Sequence, residues 1–368
     1  IQKGTLETLT IEGYKLDETR IPAEKEGDKV ENNTIINFYY IARTDTAYKV
    51  EHYLEDLDGK GYTLEDTDNL TGTTGTKTEA TAKNYKGFTA QPFEQEIIAG
   101  NGSTVIEIYY NRNNYKYQIR YHYENEEGTF EENTTIRKTF EAKYGEVITS
   151  YKDENANGFE FSHVTPTDKE NKVHLEIVAE DNIKDNVINV YYTRKAYDYK
   201  VEYYQDNTDS VNRLGATLPS EEKYGTVMTE DLVEEDYGSN WINEYQPDGY
   251  KAGEVQEYIK IQDNDNNVIR VVYSKRTDIE YTVKYYFNNV EDTKKGYTKT
   301  ATFGEKIENV TDYSNNGEWS IDKDKSTALP YTIVATGNII KVYYVKPDIK
   351  VTKSENRDVV EYGDKITY

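Results

Sequence analysis

A short segment of alternating apolar and polar residues occurs five times along the chain. In the second copy Ile106, Ile108 and Tyr110 share one phase of the alternation, and the polar Glu107 lies on the other phase. A period of two is typical of a β-strand with one buried face. The copies end at Tyr40, Tyr110, Tyr192, Tyr273 and Tyr344, which are 70, 82, 81 and 71 residues apart. This regularity predicts a tandem repeat, and we call the segment its closing strand.

A second alternating segment follows each of the first four copies after seven or eight residues, and we call it the opening strand of the next repeat. Its inward residues are Val50, Ile119, Val201 and Val283. The connectors between closing and opening strands are short, so we expect neighbouring repeats to have little freedom. The predicted boundaries are an incomplete repeat at 1–46, complete repeats at 47–113, 114–196, 197–278 and 279–346, and the start of a further module at 347–368.

A third recurring signal lies between the two strands of a repeat. An aromatic residue and a glycine stand together at Tyr144-Gly145, Tyr224-Gly225 and Phe303-Gly304. This pattern predicts a tight bend with a positive φ angle at the glycine. Signals for helix are sparse, and only short stretches such as 148–155 and 229–236 favour a turn or two.

Composition changes the picture in two ways. The 368 residues carry a net charge of −24, and a strongly anionic surface repels phosphate backbones and anionic lipid. We therefore expect neither nucleic acid nor membrane among the partners of this segment. The 37 tyrosines are the main apolar resource of a hydrophilic chain, so we expect tyrosine-rich cores. The segment 1–16 lacks the features of a signal peptide, and we expect any export signal or wall anchor to lie outside this segment.

One copy of the repeat resembles a known family. Residues 48–112, with YKVEHYLEDLDGKGYTLEDTDNLTGTTGTKTEATAKNYKGFTA and then GNGSTVIEIYYNR, resemble the MucBP-like repeats of Gram-positive cell-surface proteins, which are related to internalin B-type repeats. The resemblance is looser over 114–346, and 347–368 is similar to the opening of a β-sandwich repeat common in such proteins. It implies a mainly β fold with little helix, built of tandem β-grasp-like (ubiquitin-like) modules that form an elongated rod.

The same resemblance implies an extracellular location on the bacterial cell surface, in the cell wall or in a surface appendage. The expected function is that of a stalk or adhesin, which spaces a distal domain and contacts glycans, mucin or surface proteins. Two alternatives stay open. The repeats either present a catalytic domain outside this segment or belong to a subunit of a polymerising surface filament.

No signature of catalysis is present in the sequence. The four histidines, His52, His122, His163 and His174, lack the spacing of a zinc site, and no nucleophile elbow or phosphate-binding loop occurs. The chain also has no cysteine. We therefore expect no enzyme activity, no cofactor and structural or surface roles for the histidines.

Calcium is the one metal with a candidate site. Asp263, Asp265 and Asn267 place side-chain oxygens at alternate positions, as a calcium-binding loop does. The loop lacks the central glycine and the distal glutamate of such a site. A solvated β-turn is the alternative interpretation.

Outward-pointing tyrosines are the candidate ligand-binding residues. If opening and closing strands are sheet neighbours, as the β-grasp resemblance implies, these rings cluster on one face of each repeat, where tyrosine stacks on sugars. The alternative is that a loop covers them. In the third complete repeat Val272 replaces one of the rings. The candidates are Tyr39, Tyr53, Tyr109, Tyr191, Tyr204, Tyr286 and Tyr343.

Overall fold

The computed structural model describes residues 7–21, 34–180, 183–264 and 266–347. The chain divides into two compact units, Ile1–Arg194 and Lys195–Tyr368, and each unit contains two complete repeats. The described residues form 25 strands, one α-helix and four short 3-10 helices. The prediction of a mainly β fold is therefore confirmed. The predicted further module at 347–368 lies outside the described residues except for Pro347.

The incomplete repeat at the start of the chain contributes one small sheet. Strand β1 (Tyr14–Leu16) pairs antiparallel with β2 (Tyr40–Ala42), and a 3-10 helix covers Glu18–Arg20. The predicted closing strand ends at Tyr40, whereas β2 begins there, so in the described residues this copy is paired only from Tyr40 onward.

The first complete repeat has a four-stranded sheet in the order β4-β3-β6-β5. Strands β3 and β6 are the opening and closing strands, and they pair in parallel. The other pairings are antiparallel. The strands are β3 (Thr46–Glu55), β4 (Tyr62–Gly72), β5 (Phe88–Ala90) and β6 (Val105–Arg112).

The second repeat has a sheet in the order β11-β13-β7-β8, with β9 also paired to β7. A separate two-stranded sheet joins β10 and β12. The strands are β7 (Asn114–Glu124), β8 (Phe130–Glu132), β9 (Lys138–Lys143), β10 (Val147–Ile148), β11 (Phe159–Thr165), β12 (Leu175–Glu176) and β13 (Val187–Arg194).

The third repeat has a sheet in the order β15-β14-β18-β17, with β16 also paired to β14. Its elements are β14 (Ala196–Gln205), a 3-10 helix (Ser210–Asn212), β15 (Arg213–Ala216), β16 (Ser220–Lys223), α1 (Glu230–Tyr237), a 3-10 helix (Trp241–Asn243), β17 (Glu254–Val255) and β18 (Asn267–Tyr273).

Helix α1 forms where the sequence favoured one. The Thr229 hydroxyl accepts a hydrogen bond from the Leu232 amide at 3.4 Å, and Glu230 and Asp231 lie in the positive first turn. The other stretch that favoured helix, 148–155, contains only the end of β10 and no helix.

The fourth repeat has a sheet in the order β20-β19-β25-β23, with β21 also paired to β19, and a separate pair of β22 and β24. Its elements are β19 (Ile279–Phe287), β20 (Val290–Glu291), β21 (Tyr297–Ala301), β22 (Lys306–Ile307), a 3-10 helix (Asn315–Gly317), β23 (Ser320–Ile321), β24 (Tyr331–Thr332) and β25 (Asn338–Val345).

All four complete repeats share one central feature, the parallel pairing of the opening and closing strands in the same register. This is the strand neighbourhood that the β-grasp resemblance implies. The paired inward residues are buried in every repeat, which confirms the predicted phase of both strands. These pairs are Val50 with Ile106, Ile119 with Ile188, Val201 with Ile269, and Val283 with Ile340.

The cores are rich in tyrosine, as composition predicted. The last inward residue of each closing strand is a buried tyrosine whose hydroxyl accepts a hydrogen bond from a backbone amide of the loop above the sheet. This bond satisfies the one polar atom of a large buried ring. The pairs are Lys83 N to Tyr110 at 2.8 Å, Glu154 N to Tyr192 at 3.0 Å, Tyr245 N to Tyr273 at 3.2 Å and Tyr313 N to Tyr344 at 2.8 Å.

Within each unit, a connector residue bridges the two complete repeats through its backbone. Asn113 donates its amide hydrogen to the Gly87 carbonyl and accepts one from the Tyr144 amide, both at 2.9 Å. Arg276 forms the same two bonds, with the Gly249 carbonyl at 2.9 Å and the Phe303 amide at 2.8 Å. We call Asn113 and Arg276 the junction residues. Their bonds fix the backbone of each connector on both sides.

The aromatic-glycine bend of the following repeat stands at each of these junctions. Gly145 and Gly304 have φ angles of +72° and +77°, as the sequence predicted, and Gly225 has +83°. The bend positions the backbone amide of its aromatic residue, Tyr144 or Phe303, to donate to the carbonyl of the junction residue. A local turn signal in the sequence therefore has a role in joining neighbouring repeats.

Candidate functional site

The parallel register places the outward residues of the opening and closing strands side by side. We call this outward row, with the rings that contact it, the tyrosine face of a repeat. Because each pair occupies one rung of a parallel ladder, its two side chains are direct neighbours on the sheet face. The pairs are Tyr53 with Tyr109, His122 with Tyr191, Tyr204 with Val272, and Tyr286 with Tyr343.

The tyrosine face of the first repeat contains three rings. Tyr53 and Tyr109 stack with their centroids 5.1 Å apart and an interplanar angle of 23°. Tyr62 from β4 meets Tyr109 edge to face at 5.0 Å and is 39% exposed. Sequence reasoning missed Tyr62, because its place on this face depends on the pairing of β4 with β3, which no repeat signal marks.

Carboxylates and amides border these rings. The Tyr53 hydroxyl donates to Glu51 Oε2 at 2.7 Å, and the Tyr109 hydroxyl donates to Glu107 Oε2 at 2.9 Å. The hydrogen bond to Glu51 raises the pKa of Tyr53 to about 12, and the bond to Glu107 raises the pKa of Tyr109. Both phenols therefore remain protonated donors at neutral pH. Each glutamate keeps its second carboxylate oxygen for a further hydrogen bond.

The amide side of this border is formed around Tyr62. Its hydroxyl donates to Asn111 Oδ1 at 2.6 Å. The Gln91 amide donates both to the Tyr62 oxygen at 2.7 Å and to Asn111 Oδ1 at 2.8 Å. An aromatic surface edged by carboxylates and amides offers ring faces for stacking and oriented polar groups for hydroxyls.

In the second repeat the tyrosine face is a stack of three rings. Tyr191 lies between His163 at 4.2 Å and His122 at 4.7 Å, and Phe130 meets it edge to face at 5.2 Å. His122 Nε2 is 2.9 Å from Asn189 Oδ1. Sequence reasoning assigned His122 and His163 no ligand role, yet both belong to this face. The place of His122 on this face could have been predicted from its register, because it stands opposite Tyr191 on the neighbouring strand.

The other two histidines lie elsewhere. His52 is fully buried on the inward phase of β3, 2.8 Å from the Tyr110 hydroxyl through Nδ1 and 3.2 Å from Asp68 Oδ2 through Nε2. His174 is exposed beside β12. Neither side chain belongs to the tyrosine face.

The fourth repeat presents the closest tyrosine pair. Tyr286 and Tyr343 are stacked at 4.5 Å with an interplanar angle of 12°, and both are half-buried. The Tyr286 hydroxyl donates to Glu291 Oε2 at 3.1 Å, and Lys284 pairs with the other oxygen of Glu291 at 3.3 Å. Burial raises the pKa of Tyr286, and the hydrogen bond to Glu291 raises it further.

The third repeat departs from the expectation of an exposed ring. Tyr204 is 5% exposed and its partner Val272 is 7% exposed. The Tyr204 hydroxyl donates to Glu202 at 2.6 Å, and this carboxylate also pairs with Lys200 at 3.0 Å and Arg213 at 3.1 Å. A charged network thus closes over the ring, and Tyr204 is not accessible to a ligand.

Tyr39 differs from the other candidates, because it precedes β2 in the incomplete repeat. It is 40% exposed, and the guanidinium carbon of Arg20 lies 3.5 Å from the centroid of its ring. This ring therefore stacks with a cation.

The candidate calcium loop is held by Asn267 itself. Asn267 is buried; its Oδ1 accepts from the Gln262 amide at 2.8 Å, and its Nδ2 donates to the carbonyls of Asn264 at 2.8 Å and Gln262 at 3.1 Å. Asp263 is exposed, and Asp265 lies outside the described residues. In the described part of the chain no three His, Cys, Asp or Glu side chains stand close enough to hold a metal ion.

The asparagine has the same role in two other repeats, where no calcium loop was predicted. Asn186 Oδ1 accepts from the Val178 amide and Nδ2 donates to the Val178 carbonyl, both at 2.9 Å. Asn338 forms the equivalent pair with Val334, both at 2.8 Å. The recurrence of this residue at the start of the closing strand therefore reflects loop closure.

No protein-family model and no curated protein matches the chain. Among solved structures, the chain is similar to the Bacillus anthracis TIE protein (TM-score 0.27, 10% identity, 66% of this chain and 54% of that one). It is also similar to Mub-RV (TM-score 0.17, 16% identity, 41% and 99%).

A third similar structure is the pilus adhesin SpaC from Lactobacillus rhamnosus GG in its open conformation (TM-score 0.16, 9% identity, 88% of this chain and 46% of that one). The chain thus spans about half the length of TIE and of SpaC. Scores of this size do not establish a shared arrangement of whole chains. No helix among the described residues has the length and apolar character needed to cross a bilayer.

Proposed function

We propose that this chain is a repeat segment of an extracellular bacterial surface protein, with both spacing and adhesive roles. Its repeats space a distal domain from the cell, and its tyrosine faces bind glycans. The observation that carries the adhesive role is the three-ring face of Tyr53, Tyr109 and Tyr62, bordered by Glu51 and Glu107.

The chemistry of this face suits a sugar. The C–H face of a pyranose ring packs against an aromatic ring face. The sugar hydroxyls donate hydrogen bonds to carboxylate and amide oxygens. The stacked pair recurs in the fourth repeat and, with histidine in place of one tyrosine, in the second. Several weak faces on one chain bind a multivalent glycan surface more tightly than any single face.

The spacing role is supported by the junction residues. Asn113 and Arg276 each form backbone hydrogen bonds to the repeats on both sides, so the connectors in the two units are not free linkers. We propose that the repeats form an elongated rod. Small-angle X-ray scattering of the whole chain tests this, and a scattering profile of a globular particle would contradict it.

A glycan array probed with the fluorescently labelled full chain tests the adhesive role. The double variant Tyr53→Ala/Tyr109→Ala should lower binding to the best glycan by roughly tenfold, because it removes the stacking surface of the first repeat. Tyr14→Ala serves as the control, since it removes an exposed tyrosine ring (40%) on β1, outside the tyrosine faces of the complete repeats. Equal binding by both variants would refute the adhesive role of this face.

The third repeat provides an internal comparison. Its face is buried at Tyr204 and lacks a second ring at Val272. We expect the array signal to depend on the faces of the first, second and fourth repeats only. Chemical-shift changes on glycan addition should therefore appear at Tyr109, Tyr191 and Tyr343, and a shift of similar size at Tyr204 would contradict this assignment.

A further inference from the structure

A second candidate site lies in the fourth repeat at the end of β19, beside Glu291, the carboxylate that accepts from the Tyr286 hydroxyl. Phe287 is the last residue of β19, and its ring meets Trp319 edge to face at 5.0 Å and stacks on Tyr344 at 5.1 Å. Two adjoining hollows of about 560 and 320 Å³ open here. Both are lined by Phe287, Trp319 and Lys295, so these residues form the shared wall of one cleft. The size is that of a small-molecule site.

The Lys295 side chain lies within this aromatic wall. Its ammonium is 4.4 Å from the ring centroid of Tyr313 and 5.8 Å from that of Phe287. Within the described part of the chain this ammonium forms no ion pair, although the protein as a whole is strongly acidic. Lys346 adds a second cation 5.5 Å from the ring centroid of Trp319.

Three carboxylates line the cleft, and each accepts a hydrogen bond from the protein; Asp292 Oδ1 accepts one from the Lys294 amide at 3.0 Å. Glu291 binds Lys284 and the Tyr286 hydroxyl. Asp312 accepts hydrogen bonds from the Ser314 amide at 2.9 Å and from the Tyr344 hydroxyl at 3.0 Å. The cleft therefore combines an aromatic wall with an ammonium group that lacks a carboxylate partner from the fourth repeat.

We propose that this cleft binds a pyranose sugar that carries a carboxylate. The sugar ring packs against Trp319, and its carboxylate pairs with the Lys295 ammonium in a charge-assisted hydrogen bond. Uronic acids and sialic acids share this chemistry. The proposed ligand contacts are Trp319 and Lys295, which belong to no tyrosine face, so this proposal can fail or hold independently of the adhesive role of those faces.

Tryptophan fluorescence of the full chain provides a local readout. The sequence contains two tryptophans, and Trp241 is buried in the core of the third repeat at 2% exposure. A change in emission on sugar addition therefore reports on Trp319. Glucuronate and glucose form a matched pair of probes, since they differ only at C6, where glucuronate has a carboxylate and glucose a hydroxymethyl group. N-acetylneuraminate is titrated in parallel to separate the two classes of acidic sugar.

We expect glucuronate or N-acetylneuraminate to bind about tenfold more tightly than glucose. Lys295→Gln should weaken this binding about tenfold, whereas Lys299→Gln, which removes an exposed lysine of β21, should leave it unchanged. Trp319→Phe should abolish the emission change. Equal binding of glucose and the acidic sugars, no binding of either, or an unaltered Lys295→Gln variant would each overturn the proposal.

Discussion

Gly87 lies directly against the ring of Tyr144, across the junction between the first and second repeats. A Cβ atom added to Gly87 would lie 2.4 Å from Tyr144 Cγ and 2.5 Å from Cδ1. Gly249 and Phe303 repeat this relationship in the other unit, where the added atom would lie 2.3 Å from Phe303 Cδ2. Both glycines have positive φ, +87° and +86°. The close approach of backbone to ring thus accompanies the hydrogen bonds of the junction residue.

Gly249→Ala should disrupt this junction. The added methyl group displaces the Phe303 ring and also strains the backbone, for a total cost of about 2–4 kcal/mol. Hydrogen exchange should accelerate at the Arg276 and Phe303 amides, whose bonds cross the junction. Gly304→Ala is the matched control, since Gly304 has φ of +77° and, apart from its chain neighbours, nothing lies within 4 Å of the added methyl. It should cost only about 1 kcal/mol, and equal exchange in both variants would refute the packing argument.

The Tyr344 hydroxyl should contribute more to the free energy of unfolding than the hydroxyl of its neighbour Tyr343. Tyr344→Phe leaves the Tyr313 amide without its acceptor, which costs about 1–3 kcal/mol of unfolding free energy. Tyr343→Phe removes a hydroxyl from the half-buried outer face and should change stability by less than about 0.5 kcal/mol. Calorimetric melting of both variants checks this, and equal melting temperatures would show that the bond to the loop is dispensable.

Glu55 should make the first unit sensitive to acid. It is 8% exposed; burial raises its pKa, but the hydrogen bonds from Lys143 at 2.5 Å and from the Arg112 amide at 2.8 Å outweigh burial and lower it. A lowered pKa in the folded state stabilises the fold above the unfolded value of about 4.3. This contribution is lost as pH falls further, through the pKa of the folded state.

Glu55→Gln should therefore lower the melting midpoint at pH 7 by about 3 °C and flatten its decline below pH 4. Lys143 belongs to the second repeat, so the change also weakens the contact between the repeats. Glu65→Gln, at an exposed position on β4, is the control and should leave the pH profile unchanged. A profile of Glu55→Gln that parallels the parent protein would contradict this role.

Asn267→Asp separates the structural role of this residue from calcium binding. The carboxylate cannot donate to the carbonyls of Asn264 and Gln262, so we expect a loss of about 2 kcal/mol, with or without calcium. A calcium ligand would behave in the opposite way, because an added carboxylate raises calcium affinity. Melting in the presence of calcium and of a chelator distinguishes the two. A calcium-dependent rise in melting temperature would support the calcium interpretation.

The sequence predicted those parts of the fold that depend on local periodicity. The alternation of Ile106, Ile108 and Tyr110 sets which face of the strand is buried, because an inward position repeats every two residues. The same alternation placed Tyr109 and Tyr53 on the outer face. Their parallel pairing came from the resemblance to the β-grasp repeats, because periodicity alone gives no partner for a strand.

Features that depend on distant segments were not predictable in this way. Tyr204 has the outward phase but is buried, because Arg213, from another strand, joins the charged network around Glu202. Tyr62 enters the first tyrosine face through the register of β4. No sequence pattern around Gly87 predicts that Tyr144, in the next repeat, packs against it. Each outcome is set by tertiary contacts that no local pattern encodes.

The parallel pairing of β3 with β6 has a mechanical consequence. The ladder runs from Lys49 opposite Val105 to Leu54 opposite Tyr110. When the chain is pulled, tension enters at the start of β3 and leaves at the end of β6, at opposite ends of two strands that point the same way. The strands are then loaded in shear, so their hydrogen bonds share the force and cannot open one at a time. Each complete repeat should extend only when its whole central ladder ruptures.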